Sequence, residues 1–207
     1  HIVSISVEDG AGNPSNTASI SFGIDASPPQ VSITSPTDGF VTSADSITVT
    51  GTASDAGGGI TSVSVNNVAA ALSGENFTAT VPLESGQNTI TAIATDTVGN
   101  TAQDAVTVAR ATSGPSLVIT SPVDGSATSV QTIPVTGTVS DSVSTVSSVT
   151  VNGVPAAVTG GTFSASVTLS NGQNTIKVVA GNAVGLNTTE TVLSLIHITE
   201  PTRHCAM

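Results

Sequence analysis

The chain of 207 residues sets 3 basic against 14 acidic residues, a formal net charge of −11, and only 2% of it is aromatic. So few Lys and Arg leave nothing to neutralise phosphates, which argues against nucleic acid or an anionic membrane as a partner. No apolar run reaches the roughly 18 residues of a membrane helix, so no membrane insertion is expected, and the Val, Ile and Thr content predicts an all-β fold with an aliphatic core.

In chain order, residues 1–25 read as the end of a repeat copy. Val3, Ile5 and Val7 alternate with polar residues, a turn comes next at Asp9-Gly-Ala-Gly12-Asn13, and Ile20 and Phe22 alternate again. An isolated hairpin is marginal in water, so this piece is expected to fray or to borrow support from the next unit. Ala26-Ser-Pro28-Pro29 is a short stiff joint.

The first complete copy spans 26–111, with strands expected near 31–34, 46–52, 60–66, 68–72, 76–83, 88–95 and 104–110 from period-two alternation. Pro36-Thr-Asp38-Gly39, Ser73-Gly74-Glu75-Asn76 and Glu84-Ser85-Gly86 supply turn chemistry, the last two read as hairpin turns. Gly86-Gln-Asn-Thr-Ile90 returns letter for letter at Gly172–Ile176, an offset of 172 − 86 = 86 that holds without a gap from Val31/Leu117 to Val106/Val192. Fixed-period similarity marks an array of structural units.

The second copy therefore occupies 112–192, behind a joint at Thr112-Ser-Gly-Pro115. Asn152-Gly153 between Val151 and Val154 is a strong two-residue hairpin signal, and Asn66-Asn67 is its weaker partner. Pro134, standing where the first copy has Thr48, resists a strand interior and implies a strand start or a bulge. The expected inward set is Ile33, Ile47, Val49, Val63, Val65, Phe77, Ala79, Val81, Ile90, Ala92 and Val106, together with Ile119, Ile133, Val135, Val149, Val151, Phe163, Ala165, Val167, Ile176, Val178 and Val192. From Leu193 on, the residues leave the repeat register and resemble a translated sequencing adapter. Residues 193–207 are therefore read as an artefact tail to be set aside, with Cys205, His197, His204 and Arg203 in it.

Without that tail the chain has no Cys, one His at position 1, and Arg110 and Lys177 as its basic residues. No disulfide framework, thiolate metal site or Ser/His/Asp triad can be assembled. Asp38/Asp124 and Asp55/Asp141 recur at the repeat period, which suits turn residues bonding their own backbone better than paired catalytic acids. No cofactor is expected. Calcium is the one candidate ion, with Asp9, Asn13, Asp96 and Asn100 offering oxygens on tight turns and Asp25 or Asp55 able to complete a shell. The second copy reads Asn182-Ala-Val-Gly185-Leu186 there, losing the acid and the last Asn, so a structural turn is the favoured reading. Phe40, whose counterpart is Ser126, is the one aromatic expected on the surface, so no flat platform for a sugar is present.

The order Ile-Thr-Ser-Pro-x-Asp-Gly (33–39, 119–125), Val-Thr-Gly-Thr (49–52, 135–138), Val-x-Val-Asn (63–66, 149–152), Phe-x-Ala-x-Val-x-Leu (77–83, 163–169) and Gly-Gln-Asn-Thr-Ile resembles bacterial immunoglobulin-like tandem repeats of the glucodextranase B-domain type. The resemblance implies seven-stranded antiparallel immunoglobulin-like sandwiches, without the disulfide and core Trp of antibody domains. It further implies a non-catalytic spacer or stalk in a secreted or cell-surface multidomain bacterial protein, with neighbouring domains of the same polypeptide as partners. The alternatives are an adhesin segment binding a surface protein or glycan, and an accessory module of a polysaccharide-degrading enzyme.

Overall fold

Alternating β-branched residues put one apolar side chain on every second position, and the chain answers with strands throughout and no helix among the described residues. The structure is a computed structural model that describes residues 1–21 and 23–196. Phe22, His197, Arg203, His204 and Cys205, named from the sequence, lie outside them.

The hairpin of β1 (Ile2–Ile5) and β2 (Ala18–Ser21) pairs Ile2 with Ser21 and Ile5 with Ala18. Its Ile2, Ile5 and Ile20 are all exposed, in keeping with a piece too small to bury its own apolar face. The first copy then supplies β3 (Gln30–Ser35), β4 (Phe40–Thr42), β5 (Ser46–Ser54), β6 (Ile60–Val65), β7 (Val68–Ala69), β8 (Ala71–Ser73), β9 (Asn76–Pro82), β10 (Gly86–Asp96) and β11 (Thr101–Arg110). The second supplies β12 (Ser116–Ser121), β13 (Ser126–Thr128), β14 (Thr132–Ser140), β15 (Val146–Val151), β16 (Val154–Pro155), β17 (Ala157–Thr159), β18 (Thr162–Thr168), β19 (Gly172–Asn182) and β20 (Asn187–Ile196).

Each copy is an immunoglobulin-like sandwich of a four-stranded and a five-stranded sheet. The orders are β3-β5-β9-β8 with β4-β11-β10-β6-β7, and β12-β14-β18-β17 with β13-β20-β19-β15-β16. One of the seven expected runs changes sheets within itself, residues 68–72 dividing into β7 and β8. The structure also adds a short strand the alternation did not indicate, β4, which lies beyond the Pro36–Gly39 turn and joins the other sheet from β3. The Glu84–Gly86 turn, expected to close a hairpin, instead carries the chain from the sheet of β9 to that of β10. By contacts the described residues form two compact units, one drawn from 1–36, 48–81 and 90–106, the other from 37–47, 82–89 and 107–196.

In the first unit Val49, Val63, Val65, Phe77, Ala79, Val81, Ile90, Ala92 and Ala94 are buried. In the second, Phe163 lies in a cluster with Val135, Val149, Val151, Val167, Ile176, Val178 and Val192, against which Ile119, Ile133 and Ala165 are partly buried. Ile33, Ile47 and Val106 are likewise half-buried. Pro134 sits inside β14, paired only with Ser166 of β18, because β12 leaves β14 at Thr136. A missing N–H on that open side breaks no ladder bond. The Asn152-Gly153 hairpin has φ of 48° and 81°, and Asn66-Asn67 has 46° and 66°, so both make the expected turn.

The last strand runs on past Val192. Leu193, Ser194, Leu195 and Ile196 pair with Thr175, Asn174, Gln173 and Gly172. They thus extend the ladder beyond the point where the repeat pattern ends. Their fit is imperfect at one place. Ser194 is buried and its Oγ has no hydrogen-bond partner, while Val108, one repeat earlier, is fully buried. A buried hydroxyl left unpaired costs about 1–3 kcal/mol. Ser194→Val is therefore expected to raise stability by about 1–2 kcal/mol. A thermal melt in which the midpoint stays put or drops would show that the hydroxyl is satisfied.

Candidate metal centre

Asx chemistry builds the region. Asp96, at the end of β10, is only 2% exposed. Its Oδ1 accepts the backbone N–H groups of Val98, Gly99 and Asn100 at 2.9, 2.7 and 2.9 Å, and its Oδ2 accepts the Asn100 amide at 2.8 Å. Burial opposes its ionisation, but the Asn100 side chain and these N–H donors outweigh it and hold the carboxyl below its ordinary value. The Asn100 amide also donates to the Ser27 carbonyl at 3.2 Å and, at 3.5 Å, to that of Asp25. The turn thereby straps down the joint ahead of the first copy.

Two more acids arrive from elsewhere in the chain. Asp55, in the loop after β5, accepts the N–H groups of Gly57 and Gly58 on Oδ2 at 2.9 and 2.7 Å. Asp25 accepts the Ser27 N–H on Oδ1 at 3.0 Å. One carboxylate oxygen from each of Asp25, Asp55 and Asp96 lies within 4.8 Å of the others. Oδ2 of Asp25 is closed off from solvent and takes no hydrogen bond. It lies where a Cβ on Gly57 would stand, so that a side chain there would displace the carboxylate.

Of the residues singled out from the sequence, Asp96, Asp25 and Asp55 are brought together, with Asn100 beside them as a donor. Asp9 and Asn13 are not. Asp9 Oδ1 takes the N–H groups of Ala11 and Asn13, and the Asn13 amide donates to both Asp9 oxygens, closing that turn on itself. Those bonds, the Asn13 amide foremost, hold the Asp9 carboxyl below its ordinary value.

The second copy solves the same place differently. Asn182 stands for Asp96 and donates its amide to Asp141 Oδ2 at 3.0 Å, with a longer bond to the Ser113 carbonyl at 3.3 Å. Its Oδ1 accepts the Leu186 N–H at 2.9 Å. Ala111 replaces Asp25 and Val143 replaces Gly57, since 111 − 25 and 143 − 57 both equal the 86-residue offset. Burial opposes the charge on Asp141, but the Ser144 N–H, the Asn182 amide and the Val143 N–H keep its carboxyl below the ordinary value.

The profile of the family described as "Glucodextranase, domain B" matches residues 29–111 and again 115–197. Bacillopeptidase F of Bacillus subtilis is 35% identical over an alignment of 177 residues that covers 82% of this chain and 12% of that protein. The chain thus spans about an eighth of the curated relative's length. Two solved fragments of titin with three immunoglobulin domains each align with 83% of this chain and 66% of theirs. Their identities are 12% and 11%, with TM-scores of 0.50, a likeness of fold alone.

Proposed function

The chain belongs to the glucodextranase domain B family, and from that membership we propose that it is a non-catalytic spacer of a secreted or surface-bound multidomain protein. One observation carries this reading: every Asp and Asn that recurs at the repeat period is engaged in holding backbone. Asp38 and Asp124 accept the N–H of Thr107 and Leu193 at 2.7 and 2.8 Å. Asn66 and Asn152 accept those of Thr91 and Lys177, each at 2.8 Å. Asn88 and Asn174 accept those of Glu84 and Ser170, again at 2.8 Å. Asp55 and Asp141 cap their own loops. What the two copies share in these residues is the fold's fastening, and a ligand would have to be met by groups that only one copy carries. Phe40, 44% exposed, is alone as a surface aromatic among the described residues and is matched by Ser126.

The similarity to bacillopeptidase F favours a specific form of the reading, an accessory module held within a larger secreted enzyme. The test is a glycan array together with pull-downs on insoluble polysaccharides and peptide substrates. The spacer reading expects no retention and no cleavage by this chain. Saturable retention of one sugar class would replace it with an adhesive module.

A further inference from the structure

We propose that Asp25, Asp55 and Asp96 bind one calcium ion that fastens the joint before the first copy, and that the second copy does the same work with an amide. The proposal goes beyond the spacer reading and stands independently of it. Three carboxylates within 4.8 Å of one another have no hydrogen-bond donor among their own side chains. Each uses one oxygen for its local turn: Asp25 Oδ1 on Ser27, Asp55 Oδ2 on Gly57 and Gly58, Asp96 Oδ1 on three N–H groups. Of the remaining oxygens, Asp96 Oδ2 takes the Asn100 amide, while Asp25 Oδ2 has neither solvent nor partner. A sealed, unpartnered carboxylate oxygen is rare because its desolvation is uncompensated. A cation supplies the missing compensation.

The second copy is the internal control. There Ala111 stands for the third acid and Val143 for the glycine, and Asn182 brings a proton donor to Asp141. The acid and the glycine that makes room for it are present together in one copy and absent together from the other. The donor set also chooses the ion. It is oxygen only, with no His or Cys, which suits a hard cation. Calcium accepts six to eight oxygens in irregular geometry, whereas magnesium demands a tight octahedron and keeps most of its water. Loops contributed from three separated stretches of chain fit the first.

The measurement is isothermal titration of the whole chain, stripped with chelator, against calcium chloride and then magnesium chloride. The expected result is one calcium per chain, with magnesium binding at least tenfold more weakly. At tenfold excess over Kd calcium should raise Tm by about 5 °C or more. Amide exchange at residues 26–27 should slow on adding calcium. Asp55→Asn should weaken binding at least tenfold. Asp96→Asn combined with Asn100→Leu imports the second copy's donor together with its neighbour, so it should abolish binding yet leave the calcium-free Tm equal or higher, which separates loss of a ligand from loss of fold. The pair Asp25→Ala with Gly57→Val imports the rest and should behave the same way. A Tm indifferent to chelator with no heat of binding overturns the proposal. So does undiminished binding by Asp55→Asn, or two equivalent sites per chain.

Discussion

Phe163→Ala is expected to cost about 3–5 kcal/mol. The ring is 1% exposed and lies among Val135, Val151, Ile176 and Val178. No neighbouring aromatic is available to swing into the gap, because the second copy has no other. The lining is of β-branched residues held on paired strands, with stiff χ1 angles that resist collapse into a cavity. For a domain whose whole stability is about 5–15 kcal/mol, such a loss takes the copy close to unfolding. Denaturant melts of the whole chain should show an early transition in the variant. A loss below about 1 kcal/mol would mean that Phe163 is not the centre of its sandwich.

Gly137→Ala is expected to be nearly as damaging, at about 3 kcal/mol. A Cβ at this position would meet the carbonyl oxygen of Val118 on the neighbouring strand and the ring of Phe163 beneath. The ring has some room to move, but the carbonyl belongs to the β12–β14 ladder and has none. Phe163→Leu in the Gly137→Ala background should therefore recover part of the loss and leave the rest, a coupling that a double-mutant cycle reads directly. Gly51 meets Ser32 and Phe77 in the same way, so Gly51→Ala should repeat the effect in the first copy. Full stability in Gly137→Ala would show that the strands can part locally.

These glycines mark where sequence reasoning stops short. Period-two alternation exposes the strands and most of the interior, since each apolar residue on an inward position is its own signal. Val-Thr-Gly-Thr is visible as a motif, yet nothing local says that an aromatic ring 26 residues later passes under its glycine. The sheet changes at residues 68–72 and 84–86 are equally hidden, because a strand reads the same whichever sheet it joins. At the metal centre the Asp96–Asn100 turn is legible, being local. Asp9 and Asn13 group with it in the sequence because they share its spacing, although their turn is closed on itself. Asp25 and Asp55 meet Asp96 only through the fold. A clue does exist in the exchange of Asp25 and Gly57 for Ala111 and Val143 at equal offsets.

The short strand β13 runs parallel to β20, Ser126 beside Ser194 and Thr128 beside Ile196. It lies near the beginning of its sandwich, and β20 is the last strand. Tension entering at one end of the copy and leaving at the other therefore pulls these two strands past each other along their length. Their bonds are loaded together in shear, and no single bond can open ahead of the others as it would in a zipper. Under load the resistance is set by the rate of escape over that barrier, not by the equilibrium stability. A short parallel pairing thus makes each sandwich a stiff link along the direction in which a tether is stretched.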